Sequence, residues 1–152
     1  LGRERLYHHL GRGITVKYYF AYGSNLNMEQ MSNRCPDAVP LVARDLPGWE
    51  LQFRRVLTIV RNPKGVVRGG LWLISDFDEK MLDRYEGYPG WYEKHFITFP
   101  DGLTAMTYIL TKGKEAEPSK GYLDVCLQGC MDFKIDPQGL FRAYLKSARK
   151  AG

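Results

Sequence analysis

Turn-forming residues divide the middle of this chain into short runs, and that spacing limits the folds open to it. Pro47-Gly48, Asn62-Pro63-Lys64-Gly65 and Asp101-Gly102 separate stretches rich in aliphatic and aromatic residues at 38–46, 50–60, 66–74, 92–99 and 103–111. Such runs, bounded by residues that favour turns, suit strands. Tyr18-Tyr19-Phe20-Ala21-Tyr22-Gly23 adds a sixth, aromatic-rich strand. Helices fit between some strands but not after each, so the pattern predicts an α+β fold with a curved mixed sheet, not a doubly wound one. A capped helix is expected after the first turn, with Asn27 as the cap, Gln30 three residues on and Cys35-Pro36 at its end. Asp76 caps the next, with Glu79 three residues on and Phe77, Met81, Leu82 and Tyr85 as the apolar stripe, and Gly87 stops it. Two more are expected at about 119–132 and 137–149, with Pro137 in the first turn of the latter.

The 152 residues suffice for one domain. Residues 1–17 lack sustained periodicity before Ile14 and are read as an N-terminal arm or an expression-derived extension, leaving 18–152 as a single domain. His8 and His9 are assigned no role. The net charge of +5 raises the question of nucleic acid, but its location answers against it. The ends, 1–17 and 137–152, hold four basic residues each against a single acidic one, whereas 18–136 hold 14 basic and 16 acidic. Solvated ends explain this, and no nucleic-acid partner is expected. There is no apolar run long enough to span a bilayer and no signal peptide, so no membrane partner is expected. Cys35, Cys126 and Cys130 cannot all pair within one chain, and three thiols suit a reducing, cytoplasmic setting. Cys126 and Cys130 would share a helix face, but no His or Cys follows at zinc spacing, so buried apolar-like cysteines are expected and no metal.

Two places can carry chemistry. Tyr22-Gly23-Ser24-Asn25-Leu26 joins a strand to a helix, where successive backbone N–H groups can converge on an anion. The alternative is an ordinary connecting turn in which Ser24 or Asn25 caps. A nucleotide phosphate does not fit, because neither G-x-G-x-x-G nor a Gly-Lys-Ser ending is present. Glu86 stands at the helix end where the dipole disfavours a negative charge, with Asp83 three residues before it adding repulsion. Tyr85, Tyr88, Trp91 and Tyr92 follow closely enough to roof a dry pocket over it. The alternative is an exposed Glu86 paired with Arg84 or Lys94. For Glu86 to act as a base near neutrality its pKa must rise about two units, or about 3 kcal/mol. A helix end supplies only about 0.3–1 kcal/mol, so burial must supply the rest. No G-x-S-x-G elbow surrounds a serine, and His95 reads as a surface or cross-strand residue.

Taken in order, YFAYGSNL at 19–26, LDRYEGYPGWYEK at 82–94, TYIL at 107–110 and PSKGY at 118–122 with Gly129 resemble the gamma-glutamyl cyclotransferase family over residues 18–130. The resemblance implies a small mixed β-barrel of about six strands flanked by helices, with the cavity at the strand-to-helix turn and no cofactor or metal. It implies that Tyr22, Gly23, Ser24, Asn25 and Leu26 line the substrate site, that Glu86 is the acid-base residue, and that Tyr92, Tyr108 and Tyr122 wall the cavity. The implied activity is cyclisation of a gamma-glutamyl amine or gamma-glutamyl amino acid to 5-oxoproline, with release of the amine, by a monomer or homodimer. The region of Glu86, Gly87, Pro89 and Tyr92 looks closer to members acting on amines, and the turn with Pro118, Ser119 and Tyr122 to those acting on amino acids. A non-catalytic module of the same fold that binds a small anion is the competing expectation.

Overall fold

The computed structural model describes residues 7–10 and 14–151, with side chains from Val16 to Lys150. Of the segment 1–17 read as an arm, residues 1–6 and 11–13 and the side chains of His8 and His9 lie outside the described residues, while Ile14–Lys17 open a strand. Of that segment the structure gives the backbone of strand β1 (Tyr7–Leu10), which pairs antiparallel with the start of β2 (Ile14–Ala21).

After β2 a single 3-10 turn (Ser24–Leu26) leads into α1 (Met28–Arg34). Asn27 caps α1 as its residue type predicts, its side chain accepting from Gln30 N at 3.0 Å. The expected strands at 38–46, 50–60 and 66–74 are joined differently. They form one long hairpin of β3 (Val39–Arg54) and β4 (Val56–Ser75). Its tip is Arg55, held at φ 67°. Pro47-Gly48 and Asn62–Gly65 do not end strands. They lie opposite one another, where the register jumps from Pro47↔Val66 to Trp49↔Arg61. Four residues of β4 bulge out against one of β3, and Lys64 N donates to Asn62 Oδ1 at 3.0 Å across the bulge.

Helix α2 (Asp76–Glu86) starts one residue earlier than expected, for Ser75 is the cap and Asp78 closes the capping box. Its inward face is correspondingly rotated. Leu82 and Asp78 are fully buried, while Phe77 and Tyr85 of the expected stripe are about half exposed. The buried Asp78 carboxylate is satisfied by the amides of Ser75 and Asp37. Gly87 ends α2 with φ 64°. Strands β5 (Tyr92–Thr98) and β6 (Thr104–Leu110) are joined through Pro100, Asp101 and Gly102, one residue more than the Asp-Gly turn expected, with Gly102 at φ 94°. The chain ends in α3 (Lys120–Asp132) and α4 (Gln138–Ala151), with Pro137 immediately before α4.

The strand order is β3-β4-β2-β6-β5, antiparallel except for the parallel pairing of β2 with β6. The fold is α+β with a mixed sheet, as the run lengths imply. The expected barrel is corrected in one respect: among the described residues the sheet stays open. What curls it is side-chain bonding. The distal half of the β3–β4 hairpin bends back over the end of β6, where Thr58 Oγ1 accepts from Leu110 N at 2.9 Å and donates to Leu110 O at 3.4 Å. Arg54 Nη1 adds a bond to the same carbonyl at 3.2 Å. A strand that crosses at an angle cannot continue the backbone ladder, so side chains complete the curl.

The core runs from Phe20, Leu71 and Ile74 of the sheet to Phe53, Leu57 and Met106, with α3 and α4 covering it through Cys126, Cys130, Leu140 and Ala143. All three cysteines are free and buried as expected. Burial pushes the thiols of Cys35 and Cys126 up to about 12 and that of Cys130 to about 11, so they behave as small apolar groups. No helix among the described residues is long and apolar enough to cross a membrane. Nor do the described His, Cys, Asp and Glu side chains gather in a group able to hold a metal.

Candidate active site

The turn after β2 is fixed from three sides. Backbone bonds from Leu26 N to Gly23 O (3.0 Å) and Asn27 N to Ser24 O (3.1 Å) close it as a 3-10 turn. From β4, Trp72 Nε1 donates to Asn25 O at 2.9 Å. From α3, Gly129 packs directly against it, so close that a Cβ there would lie 2.6 Å from Leu26 Cβ and 2.8 Å from Asn27 N. Asp132 on the same helix accepts from Met28 N at 2.9 Å, satisfying an amide at the start of α1.

Beside this turn lies a cavity of about 800 Å³, mostly apolar in lining, into which Glu86 projects from the last turn of α2. Tyr22, Gly23, Ser24, Asn25, Tyr92, Tyr108 and Tyr122 all line it, as does Tyr19. Glu86 keeps partial exposure through the mouth, yet burial of its carboxyl raises its pKa from the ordinary range to about 7, opposed by the nearby Arg34 charge and by the Asn25 hydrogen bond. Asn25 Nδ2 reaches Glu86 Oε1 at 3.2 Å. The pairing with Arg84 or Lys94 weighed from the sequence is not what forms. Lys94 instead bonds Glu79 at 2.5 Å and Asp83 at 2.9 Å. Asp83 is therefore engaged elsewhere, and it also accepts from Tyr108 Oη at 2.6 Å.

A family model described as Gamma-glutamyl cyclotransferase, AIG2-like, matches residues 19–124, a span holding both the turn and Glu86. The chain belongs to this family. Among curated relatives it is 28% identical to the gamma-glutamylcyclotransferase of Mus musculus over 141 residues, covering 82% of this chain and 75% of the relative. It is 28% identical to that of Homo sapiens over 131 residues, covering 75% and 70%. A solved structure described as gamma-glutamyl cyclotransferase superposes with a TM-score of 0.70 at 23% identity, covering 87% of each chain, and shares the fold.

Within this gamma-glutamyl cyclotransferase-family cavity the tyrosine hydroxyls are largely committed to the protein. Tyr22 Oη donates to Tyr108 O at 2.5 Å, Tyr92 Oη donates to Leu57 O at 2.9 Å, and Tyr122 Oη accepts from Leu57 N at 3.1 Å. Burial pushes all four phenols, Tyr22, Tyr92, Tyr108 and Tyr122, well above their ordinary range, so they are neutral walls. Leu26 departs from expectation. Its side chain is 1% exposed and turned into the core under Gly129, so the turn contributes its backbone but Leu26 does not reach the cavity. The ring cluster expected to roof Glu86 is also redistributed. Trp91 is 72% exposed at the rim, folded back over Gly87, and Tyr85 and Tyr88 are exposed too. Tyr85, Trp91 and Tyr92 line the cavity with Glu86, and they are joined there by Tyr19 and Tyr22, which precede Glu86 by more than sixty positions.

Two residues that hydrogen-bond Asn25 beside Glu86 were not singled out from the sequence. Tyr19 Oη accepts from Asn25 Nδ2 at 2.9 Å inside the cavity. Arg34, the last residue of α1, donates from Nη1 to Asn25 Oδ1 at 2.5 Å. Tyr19 was legible as part of the aromatic strand, but a basic residue at a helix end reads as an ordinary dipole partner, so nothing local marked Arg34.

Proposed function

We propose that this protein is a gamma-glutamyl cyclotransferase that forms 5-oxoproline from a gamma-glutamyl amine or gamma-glutamyl amino acid, with Glu86 as the acid-base group and no cofactor. The observation that carries the reading is a carboxyl raised to about 7 inside a cavity edged by the 22–26 turn. A group so tuned is divided between its two forms near neutrality, as a base that must also return its proton needs to be. A lift from 4.5 to about 7 corresponds to about 3 kcal/mol, in line with what neutral-pH chemistry demands.

The chemistry follows from those positions. Ionised Glu86 takes a proton from the substrate's α-ammonium, and the freed amine attacks the substrate's own γ-carbonyl carbon. Glu86 returns this first proton to the leaving nitrogen as the γ-amide bond breaks, and its carboxylate then takes the second proton from the ring nitrogen and passes it to the released amine, leaving the neutral lactam. No covalent bond to the enzyme forms. Attack within one molecule needs the glutamyl chain folded on itself, and the walls of Tyr22, Tyr92, Tyr108 and Tyr122 restrict it to that shape. Amides opening the 3-10 turn supply donors for the α-carboxylate or the developing oxyanion. The competing anion-binding reading leaves Glu86 in an ion pair, whereas its side-chain hydrogen bond among the described residues is to Asn25.

Incubation with a panel of gamma-glutamyl amino acids, gamma-glutamyl-ε-lysine and glutathione, with 5-oxoproline measured, tests the activity and ranks leaving groups. Glu86→Gln keeps the volume but cannot accept the proton, so turnover should fall by ~10²–10⁴ while ligand binding largely survives. In the parent, kcat/KM should rise with pH through a single ionisation near 7 and then level, because the deprotonated form starts the reaction. A well-folded Glu86→Gln protein that releases 5-oxoproline at the parent's rate would refute the mechanism.

A further inference from the structure

The two ends of the Asn25 amide are alike in shape and opposite in hydrogen bonding, so whatever fixes its orientation decides what Glu86 faces. Arg34 Nη1 sits 2.5 Å from Asn25 Oδ1. Arginine only donates, so the end it meets must be the carbonyl oxygen. The NH₂ end is thereby turned toward Tyr19 Oη at 2.9 Å and Glu86 Oε1 at 3.2 Å. The reversed amide would point oxygen lone pairs at a carboxylate. Arg34 is itself held flat, its Cζ lying 3.2 Å from the centroid of the Tyr85 ring.

The geometry points to Arg34 as a positioning residue: from the end of α1 it locks the Asn25 amide so that its NH₂ faces Glu86, and sets a fixed positive charge near that carboxylate. This role rests on the reading of Glu86 as the acid-base group, and it adds a residue outside the turn and outside α2. Both parts favour the ionised carboxylate and oppose the burial that favours the protonated one. The site thus has a counterweight: without it Glu86 would hold its proton at neutral pH and fail to start the reaction.

The other groups around Glu86 do not substitute for it. Tyr19 and Tyr22 from β2, Tyr92 from β5, Tyr108 from β6 and Tyr122 from α3 are pushed upward by burial and stay neutral while Glu86 titrates. Arg54 and Arg55 at the hairpin tip and Arg84 on α2 also line the cavity. Of these charged groups it is Arg34 that, together with Asn25, opposes the upward shift of Glu86.

The test is a ¹³C NMR titration of the Glu86 side-chain carboxyl, assigned by its loss in Glu86→Gln, beside the pH profile of kcat/KM. The parent midpoint is expected at about 7. Arg34→Met should raise it by about one unit and move the acid limb of kcat/KM by the same amount. Arg34→Lys keeps the charge but not the directed bond, so the midpoint should rise by less than in Arg34→Met while kcat falls several-fold. Tyr85→Leu frees the guanidinium and should shift the midpoint upward by less than Arg34→Met, which keeps the question answerable if Arg34→Met does not fold. A folded Arg34→Met protein with an unmoved midpoint overturns the inference, and so does lost activity with both titrations unchanged. If the midpoint moves but no substrate yields 5-oxoproline, the positioning role stands and the cyclotransferase reading falls. An active parent whose midpoint ignores Arg34 upholds the cyclotransferase reading and overturns the positioning role.

Discussion

At the scale of single residues, the site sets function against stability. The carboxyl of Glu86 has a pKa of about 7 when folded against 4.5 in the unfolded chain, so the native state binds more protons in that window and loses stability as pH rises through it. Above pH 7 the full penalty, up to about 3 kcal/mol, is present; below 4.5 it is absent because the group is neutral in both states. Glu86→Gln should therefore raise the melting temperature by several degrees at pH 8 and leave it nearly unchanged at pH 4, as read by calorimetry. An equal rise at both values would mean that charge is not the cause. Gly23 is a second such position. A Cβ there would lie 3.3 Å from Leu57 Cδ2 and 3.5 Å from Tyr122 Oη, so a larger side chain has to displace the cavity wall. Gly23→Val should abolish turnover and substrate affinity together, and near-normal kinetics in a folded variant would reduce the turn to a connector.

At the scale of elements, α3 holds the turn and α2 carries the carboxylate, and each is fixed by a device of its own. Gly129→Ala places a methyl 2.6 Å from Leu26 Cβ and 2.8 Å from a backbone nitrogen, neither of which can yield as a flexible side-chain end would. The variant should lose about 1–3 kcal/mol in denaturant titration, and its kcat/KM should fall more than stability alone explains, because the turn is displaced from Glu86. A loss of stability with unchanged kinetics would show that α3 supports the fold but not the site. Helix α2 is tied down by an ion cluster in which Lys17 and Lys94 share Glu79, and Lys94 also meets Asp83. Asp83, three residues before Glu86, faces Lys94 and Tyr108 instead of repelling it. Element identity was legible because caps and stops are local: Asn27 and Gly87 act where their residue types place them. The start of α2 was misplaced by one residue because Ser75 and Asp76 both suit a cap, and only the buried Asp78 carboxylate, bonded back to Ser75 N, decides between them.

At the scale of the whole molecule, the cavity exists because the β3–β4 hairpin folds back over β6. Thr58 makes both bonds to Leu110 from a fully buried position. Thr58→Val keeps the shape but leaves a buried N–H without its partner, at about 1–3 kcal/mol. Its wall residue Leu57 is held through both backbone groups by Tyr92 and Tyr122, so loosening this crossing should also raise KM. Unchanged KM in a destabilised variant would separate the curl from the cavity. The sequence by itself determined the α+β class with a mixed sheet, most helix ends, the turn at 22–26 and the place of Glu86 at a helix end. Those follow from residue type and short-range spacing, which act over a few positions. Only the tertiary structure decided that the turn residues at 47–48 and 62–65 form a bulge in one long hairpin, since a turn signal does not say whether the chain resumes its old direction. It also decided that the sheet stays open, that Leu26 faces the core, and that Tyr19 and Arg34 meet through Asn25 beside Glu86. The Asn25–Glu86 bond joins residues 61 positions apart, and no local pattern records which side chains packing will bring within hydrogen-bond reach.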